Sequence, residues 1–424
     1  MKLTTALVSL VAATSAFAAE IRITGATAFR ASAIKTISAS FSPGFLVSYS
    51  NGTVQTANQA TFQGNFPGLA GTTTIRCSWN GAVEGIRAIH NNLLVPFLSE
   101  APTTVGNADG TGGSIKTVSV SQTAQFAFSD CTQSSTPFTA NTLYPGQPEI
   151  GVVVFAFVAN NGASPAITGM SNQLANALFT NGAQPLSMWS GLPADDNKQV
   201  YLTGRNDGSG TRTITLAEPG YGASQLMKQY KPTVVTNNIT TLRLWPLADG
   251  TNRSDIWNPD TSGNGGFFSG GAITSSLRAT SGAVQLQTAI GNNVGSPSAL
   301  SLISYQSASD AFISQGAASA SGAPGRLLTY NGAPALTYKG AGTAADPFTL
   351  SDASVNDVAR GRYTFWSYEV LYSNVDLDSP ANTDLNTVYQ AIKAGSTTLN
   401  LGLSGIALDQ MKVARGSDGG IVAP

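Results

Sequence analysis

The sequence has little charge of either sign and few of the residues that build metal centres. Only 11% of its 424 residues are charged, the formal net charge is −1, and there is a single histidine, His90. Nucleic-acid binding and polybasic membrane contacts both need clustered Lys and Arg, so this composition argues against both. A metal cluster needs more ligands than are present, and we expect neither a metal nor a cofactor.

Long apolar runs are missing after the N-terminus. Residues 1–19 (MKLTTALVSLVAATSAFAA) combine one lysine, a short apolar run and a small-x-small Ala-Phe-Ala pattern. This combination predicts a secretory signal peptide cleaved after Ala18 or Ala19, too short to remain as a membrane span. No cysteine follows the cleavage site, so no lipid anchor is predicted, and we expect a periplasmic or extracellular protein.

Cysteine is scarce, with only Cys77 and Cys131. In an oxidising compartment, two cysteines more often form a disulfide than a metal site, so a Cys77–Cys131 bridge is predicted. A pair of buried thiols is the alternative.

Short apolar runs alternate with helix-like segments, which predicts an α/β fold. The 405 residues after position 19 are enough for two domains. The run 149–158 (EIGVVVFAFV) is typical of a strand buried on both faces of a parallel sheet. The other predicted elements are strands at 21–23 and 198–202 and helices at 31–39, 80–93 and 168–178, the last capped by Thr168. Loops are predicted at 102–114, 259–273 and 317–325, and a flexible tail at 414–424.

The segment 204–211 (GRNDGSGT) carries the clearest chemistry. It follows a predicted strand and precedes a predicted helix start. Its glycines let backbone N–H groups approach an anion, the hydroxyls of Ser209 and Thr211 add donors, and Arg205 offers a fork for a tetrahedral oxyanion. Asp207 is predicted to hold that fork in place.

Two other uses of this segment fail on single positions. A calcium loop starting at Asp207 would need glycine at its sixth position, where Arg212 stands. A Walker A loop would need a GK[ST] ending, which is absent. Without these, an ordinary turn remains the alternative to an anion site.

The segment resembles the RxDGSGT phosphate loop of the periplasmic phosphate-binding proteins of ABC transporters, in the type 2 periplasmic-binding-protein superfamily. Further similar segments follow the same order along the chain: ITGATAF (23–29), CSWNG (77–81), FAFSD (126–130), 151–160, 178–191, 297–305 and the aromatic stretch 360–374.

The resemblance implies a two-lobed fold in which each lobe is a mainly parallel sheet flanked by helices. Its implied divisions are a signal peptide at 1–19, a first lobe at 20–157, a second lobe at 158–354, and a return segment with the tail at 355–424. The aromatic stretch would form the returning strand, with Phe365, Trp366 and Tyr368 in core packing.

The resemblance also implies a ligand site shared between the lobes. Ser78 would donate from the start of the second helix, and Asp130 would accept a proton from bound phosphate, which favours phosphate over sulfate. The full implied ligand set is Thr27, Phe29, Ser78, Asp130, Arg205, Asp207, Ser209, Gly210 and Thr211. The implied protein is a monomer that binds phosphate or a related oxyanion and docks on a transporter permease.

Two positions depart from the family pattern. Arg30 replaces a usual proline, and bulky Trp79 stands where small residues are usual. Extra charge and an aromatic wall suit a phosphate ester or another oxyanion.

Two other functions are alternatives to this one. An enzyme is not expected, because a Ser-His-Asp hydrolase would depend wholly on His90 and no G-x-S-x-G elbow follows a strand. The second alternative is a secreted surface or matrix protein that keeps the fold without anion transport.

Overall fold

The structure is a computed structural model that describes residues 19–144, 149–246, 263–297, 300–316, 324–343, 346–398, 402–403 and 405–424. The predicted signal peptide therefore lies outside the described residues, apart from Ala19. In the part that is described, every helix is too short or too polar to cross a membrane.

The strands, numbered in chain order, are β1 Glu20–Gly25, β2 Leu46–Tyr49, β3 Gln59–Gly64, β4 Thr73–Trp79, β5 Leu94–Leu98, β6 Thr104–Val105, β7 Ser114–Ile115, β8 Ser119–Thr123, β9 Phe126–Ser129, β10 Glu149–Ala159, β11 Gly169–Met170, β12 Ala183–Pro185, β13 Gln199–Leu202, β14 Tyr230–Val235, β15 Asn238–Leu244, β16 Thr280–Gln287, β17 Asn293–Gly295, β18 Leu300–Ser307, β19 Arg326–Leu327, β20 Thr329–Tyr330, β21 Tyr338–Lys339, β22 Thr349–Leu350 and β23 Trp366–Ser373.

The α-helices are α1 Arg30–Ser40, α2 Ala82–His90, α3 Asn172–Asn181, α4 Ser187–Ser190, α5 Gly210–Ala217, α6 Gly270–Leu277, α7 Ala308–Gln315, α8 Asp352–Ala359 and α9 Thr383–Thr398.

The main sheet runs in the order β12-β13-β18-β10-β23-β9-β1-β4-β3-β2-β6. We call the part built on β9, β1, β4, β3 and β2 with α1 and α2 the first lobe. The part built on β12, β13 and β18 with α3, α5, α6 and α7 is the second lobe. Strand β1 pairs in parallel with β4 and β9, and β13 pairs in parallel with β18. The predicted α/β class is confirmed, with antiparallel strands around these parallel pairs.

Strand β10 joins the lobes at the middle of the sheet. Every residue of it after Glu149 is buried, as its unbroken apolar run predicts. Its neighbours β18 and β23 are both antiparallel to it, so the predicted parallel setting is wrong. The returning strand β23 pairs with both β9 and β10, and Phe365 and Trp366 lie in the core as predicted.

Two local predictions differ from the structure because extended or capped backbone sets the helix starts. Thr168 does not cap α3, since Gly169 and Met170 form β11 beside β20 and Ser171 caps the helix instead. The predicted loop at 259–273 ends earlier, because Ser269 caps α6 from Gly270. Its first residues, 259–262, and most of the predicted loop 317–325 lie outside the described residues.

The predicted disulfide is wrong, because Cys77 and Cys131 are both free and buried. Strand β1 lies between their strands, with Ile23 pairing with Cys77 on one side and Phe126 on the other. Two strand spacings amount to about 9.6 Å, beyond the reach of a disulfide, and Cys131 lies still further along the chain.

The C-terminal tail is packed against the protein, so its predicted flexibility is wrong. Arg415 forms a buried ion pair with Glu218 at 2.8 Å and lies over the Trp366 ring at 4.2 Å. The Asp418 carboxylate accepts hydrogen bonds from the Thr132 backbone N–H at 2.7 Å and from its hydroxyl at 2.9 Å. The tail therefore contacts the second lobe through Glu218 and the first-lobe side through Thr132.

Candidate functional site

The loop between β13 and α5 is held from several sides. The Arg205 N–H donates to the Tyr305 hydroxyl at 3.1 Å, and the Arg205 carbonyl accepts from Gln229 Nε2 at 3.0 Å. The Arg212 guanidinium donates to the same carbonyl at 3.3 Å and to the Asn264 carbonyl at 2.6 Å. This loop is the predicted strand-to-helix connection, and these bonds fix its backbone before any ligand binds.

Arg205 is buried and its guanidinium contacts both lobes. Nε donates to the Phe267 carbonyl at 3.1 Å, and Nη2 donates to the Phe268 carbonyl at 2.7 Å and to the Thr27 hydroxyl at 3.3 Å. Burial lowers the pKa of Arg205, against the opposing charges of Asp310 and Asp130, but arginine stays protonated in proteins. Among the described residues, no carboxylate forms an ion pair with it, which leaves a buried cation suited to an anionic ligand.

Asp130 lies directly after β9 and faces the start of α5. Its Oδ2 accepts a hydrogen bond from the Thr211 hydroxyl at 3.2 Å, while its buried Oδ1 has no hydrogen-bond partner. Burial raises the pKa of Asp130 to about 6, although Arg205 and Thr211 pull it down. The pKa of this carboxyl group is therefore near neutral pH, where the group can share a proton with a ligand.

Gly210, at the start of α5 in the second lobe, lies directly against Asp130. A Cβ at this position would lie 1.9 Å from Asp130 Oδ1 and 2.7 Å from the Ala82 Cβ. Only glycine therefore fits between the helix start and the carboxylate.

Two predicted ligand residues have structural partners in the loop. Ser209 caps α5, its hydroxyl oxygen accepting from the Arg212 N–H at 3.4 Å. Asp207 is buried, and its charge acts on Arg212, where it and Tyr305 counteract the lowering of the pKa by burial. The Arg205 fork is held by the carbonyls of Phe267 and Phe268 rather than by Asp207.

In the first lobe, Thr27 and Ser78 reach the cleft, while the ring of Phe29 does not. Phe29 precedes α1 and its fully buried ring packs against Phe128, with centroids 5.9 Å apart. Ser78 lies in β4 rather than at the start of α2, so its predicted position at a helix N-terminus is wrong. The carbonyl of Gly208 occupies that helix start instead, accepting from the Glu84 N–H at 3.2 Å.

Two charged residues that were not in the predicted ligand set lie close to Arg205. Arg30 opens α1 and donates to the Ala57 carbonyl at 3.3 Å, but its buried Nε has no hydrogen-bond partner. Asp310 lies in the first turn of α7. Burial raises the pKa of Asp310, and Arg205 and Arg30 oppose this. Arg30 and Arg205 thus both act on the buried Asp310 carboxylate, while Asp130 also acts on Arg205.

A signal for both residues exists in the sequence, but each has a simpler interpretation. Ser307 and Asp310 form an S-x-x-D pattern, which predicts helix capping, and Ser307 does cap α7. Arg30 stood out only as a departure from the family pattern.

A cleft of about 820 Å³ separates the lobes beside these residues. Thr27, Ser78 and Trp79 lie on its first-lobe wall, and Asn206, Gly208 and Ser269 on its second-lobe wall. Arg205 and Asp130 do not line this cleft themselves, and Thr27, which does, accepts a hydrogen bond from Arg205 Nη2.

The described residues hold no group of three or more His, Cys, Asp or Glu arranged to bind a metal. His90 lies at the end of α2, where Nδ1 is 2.7 Å from Asn91 Oδ1 and Nε2 accepts from the Asn141 N–H at 3.3 Å. It does not line the cleft.

Comparison with solved structures finds a distant likeness. A phosphate transport receptor of the ABC type from Vibrio cholerae is 11% identical, with a TM-score of 0.43 over 88% of this chain and 94% of that one. A possible phosphate-binding protein from Planctomyces limnophilus is 10% identical, with a TM-score of 0.37 over 89% and 87%. A phosphate-binding protein from Stenotrophomonas maltophilia is 12% identical, with a TM-score of 0.34 over 84% and 79%.

No protein-family model matches the chain, and no curated protein matches it. The names of these three structures each refer to phosphate transport or phosphate binding. Because their identities are 10–12% and their TM-scores are below 0.5, the ligand of this chain has to be inferred from its own side chains.

Proposed function

We propose that this protein is an exported solute-binding protein that holds phosphate or a similar tetrahedral oxyanion between its lobes. The buried Arg205 supports this most strongly, because its guanidinium contacts both lobes and forms no ion pair with the described carboxylates. An oxyanion at this point would accept charge-assisted hydrogen bonds from the fork and from Thr27, Ser78 and Thr211.

Asp130 supports the choice of a protonated anion. An ionised carboxylate repels any anion that cannot donate a proton to it, and monohydrogen phosphate or arsenate can donate where sulfate cannot at neutral pH. The unpartnered Oδ1 of Asp130 is the acceptor for that proton. We therefore expect phosphate and arsenate to bind and sulfate to be rejected.

Export and delivery to a transporter belong to the same proposal. Strand β1 begins at Glu20, immediately after the predicted cleavage site, so removal of residues 1–19 would leave the first strand intact. Closure of the lobes on the anion would create the surface that docks, as a monomer, on an ABC transporter permease.

Calorimetry on the mature protein, stripped of bound anion by unfolding and refolding, tests the proposal. Phosphate and arsenate should bind with sub-millimolar dissociation constants at neutral pH, and sulfate should not bind. Absence of heat with all three anions contradicts the proposal and favours a surface or matrix protein that retains the fold without binding.

A further inference from the structure

We propose, building on the oxyanion site above, that the ligand is a phosphate monoester whose hydroxylated organic group lies in the same cleft. The cleft measures about 820 Å³. Cavities of roughly 300–1,000 Å³ hold whole organic ligands, whereas an ion of five heavy atoms occupies only a small part of such a space. The phosphate group would lie at the Thr27 edge beside Arg205 as the monoanion, the ester form that still carries a proton for Asp130. The organic group would extend along α2.

The walls of the cleft carry the groups that bind hydroxyls. Four asparagines line it, from both lobes: Asn51, Asn58, Asn80 and Asn206. An amide offers two donors and one acceptor oxygen, which matches the donor and acceptor character of an alcohol. A bare oxyanion has acceptors only and needs no such mixture.

Trp79 provides a second and independent observation. It lies on the cleft wall and is 4% exposed, yet its buried Nε1–H has no hydrogen-bond acceptor. A buried donor without an acceptor destabilises a protein, so such groups are normally paired. A hydroxyl oxygen of the organic group would supply the missing acceptor after a rotation of the indole, because Nε1 itself is shielded from solvent in the ligand-free protein.

Part of the cleft wall is apolar and exposed to solvent, beside the charged Glu84 and Arg87. Leu94 and Phe268 line the cleft with 68% and 53% of their surface exposed. Apolar side chains beside amides suit the C–H faces of a polyol or sugar, which alternate with its hydroxyls. The combination is typical of a site for a sugar phosphate or glycerol phosphate rather than for a free ion.

Calorimetry with four probes separates this inference from the proposed function. We expect glucose 6-phosphate or glycerol 3-phosphate to bind at least tenfold more tightly than inorganic phosphate, and glucose alone not to bind. If inorganic phosphate binds as tightly as both esters, the ester inference is wrong and the oxyanion proposal stands. If none of the phosphates binds, both are wrong.

A pair of matched variants locates the organic group. Asn58→Trp places a large ring in the cleft from an exposed position, and it should weaken the better ester at least tenfold while leaving inorganic phosphate within twofold. Asn65→Trp adds the same ring at an exposed position that does not line the cleft, and it should change neither affinity. Equal weakening of ester and phosphate in Asn58→Trp, or no weakening of either, would overturn the placement.

Discussion

The two sides of the cleft differ in how completely their polar groups are bonded. On the second-lobe side, the backbone of Arg205 is bonded to Tyr305, Gln229 and Arg212, and its guanidinium to two carbonyls. On the first-lobe side, Asp130 Oδ1, Arg30 Nε and Trp79 Nε1 are buried and have no hydrogen-bond partner among the described residues.

The second-lobe surface is therefore ordered before a ligand binds, whereas the first-lobe surface gains its missing hydrogen bonds from the ligand. The loop of the second lobe is already ordered by its hydrogen bonds, so this loop loses little conformational entropy when a ligand binds. The first lobe keeps buried groups whose missing bonds cost free energy until an acceptor or a proton arrives. The ligand's selectivity should therefore come from the first lobe and most of its basic affinity from the second.

Arg205→Ala should have the largest effect, because it removes the prepared cation. Truncating one partner of a buried, hydrogen-bonded charge pair costs roughly 2–5 kcal/mol, so phosphate affinity should fall by at least about 30-fold. Calorimetry measures this. Arg243→Ala, which removes a β15 side chain that donates to the Ala289 carbonyl, should leave affinity unchanged. Similar losses in both variants would contradict the role of Arg205.

Gly210→Ala should separate the two sides of the cleft. The added methyl group would lie 1.9 Å from Asp130 Oδ1, so the lobes must move apart or the helix start must shift. We expect about 3 kcal/mol of destabilisation in urea unfolding, together with weaker anion binding. Gly271→Ala is the matched control, because its Cβ would meet only Asp310 Oδ1, at 3.8 Å, and alanine favours a helix. A stable, fully binding Gly210→Ala variant would show that this contact is not needed.

Asp130→Asn should remove a pH dependence of stability that originates in the first lobe. The folded-state pKa of Asp130 is raised to about 6, so the folded protein holds this proton where the unfolded chain has lost it. Stability should therefore fall as pH rises from about 4 to 6, by about 2 kcal/mol for this group.

The measurement is the difference in unfolding free energy between the wild type and Asp130→Asn at several pH values without anion. The wild type should lose stability relative to the variant as pH rises through this window. A constant difference across the window would mean that Asp130 titrates at its ordinary pKa.

Trp79→Phe should have the smallest effect on the ligand-free protein. Phenylalanine removes the unpartnered Nε1–H, which stabilises, but leaves a small cavity where the larger indole packed, which destabilises, so the net change in stability should be less than about 1 kcal/mol. Thermal or urea unfolding measures this. A large destabilisation would show that Nε1 has a partner in solution.

Local patterns predicted the second-lobe side of the site well. Strand β13, the loop at 204–209 and the start of α5 are contiguous, and each depends on short-range features: a short apolar run, two glycines and a capping serine. The apolar run of β10 was equally clear, although its partners' direction was not, because pairing direction depends on distant strands.

Long-range contacts explain what the sequence did not reveal. Asp310 meets Arg30 and Arg205 only because α7 packs beside β10 and β18 in the folded chain. The tail residues Arg415 and Asp418 find Glu218 and Thr132 in the same way, and nothing near them in sequence indicates burial. The Cys77–Cys131 disulfide was predicted from the number of cysteines and the expected compartment. Neither carries information on the strand that lies between the two residues.

The two free cysteines allow local opening of the first lobe to be measured by thiol labelling. Cys77 precedes Ser78 and Cys131 follows Asp130, and burial raises the pKa of both thiols, so neither is reactive in the folded protein. A thiol reagent can modify them only during transient local opening, at a rate set by how often that opening occurs. The labelling rate therefore reports how often the protein exposes the neighbourhood of Asp130, and a ligand bound there would slow it without any engineered cysteine.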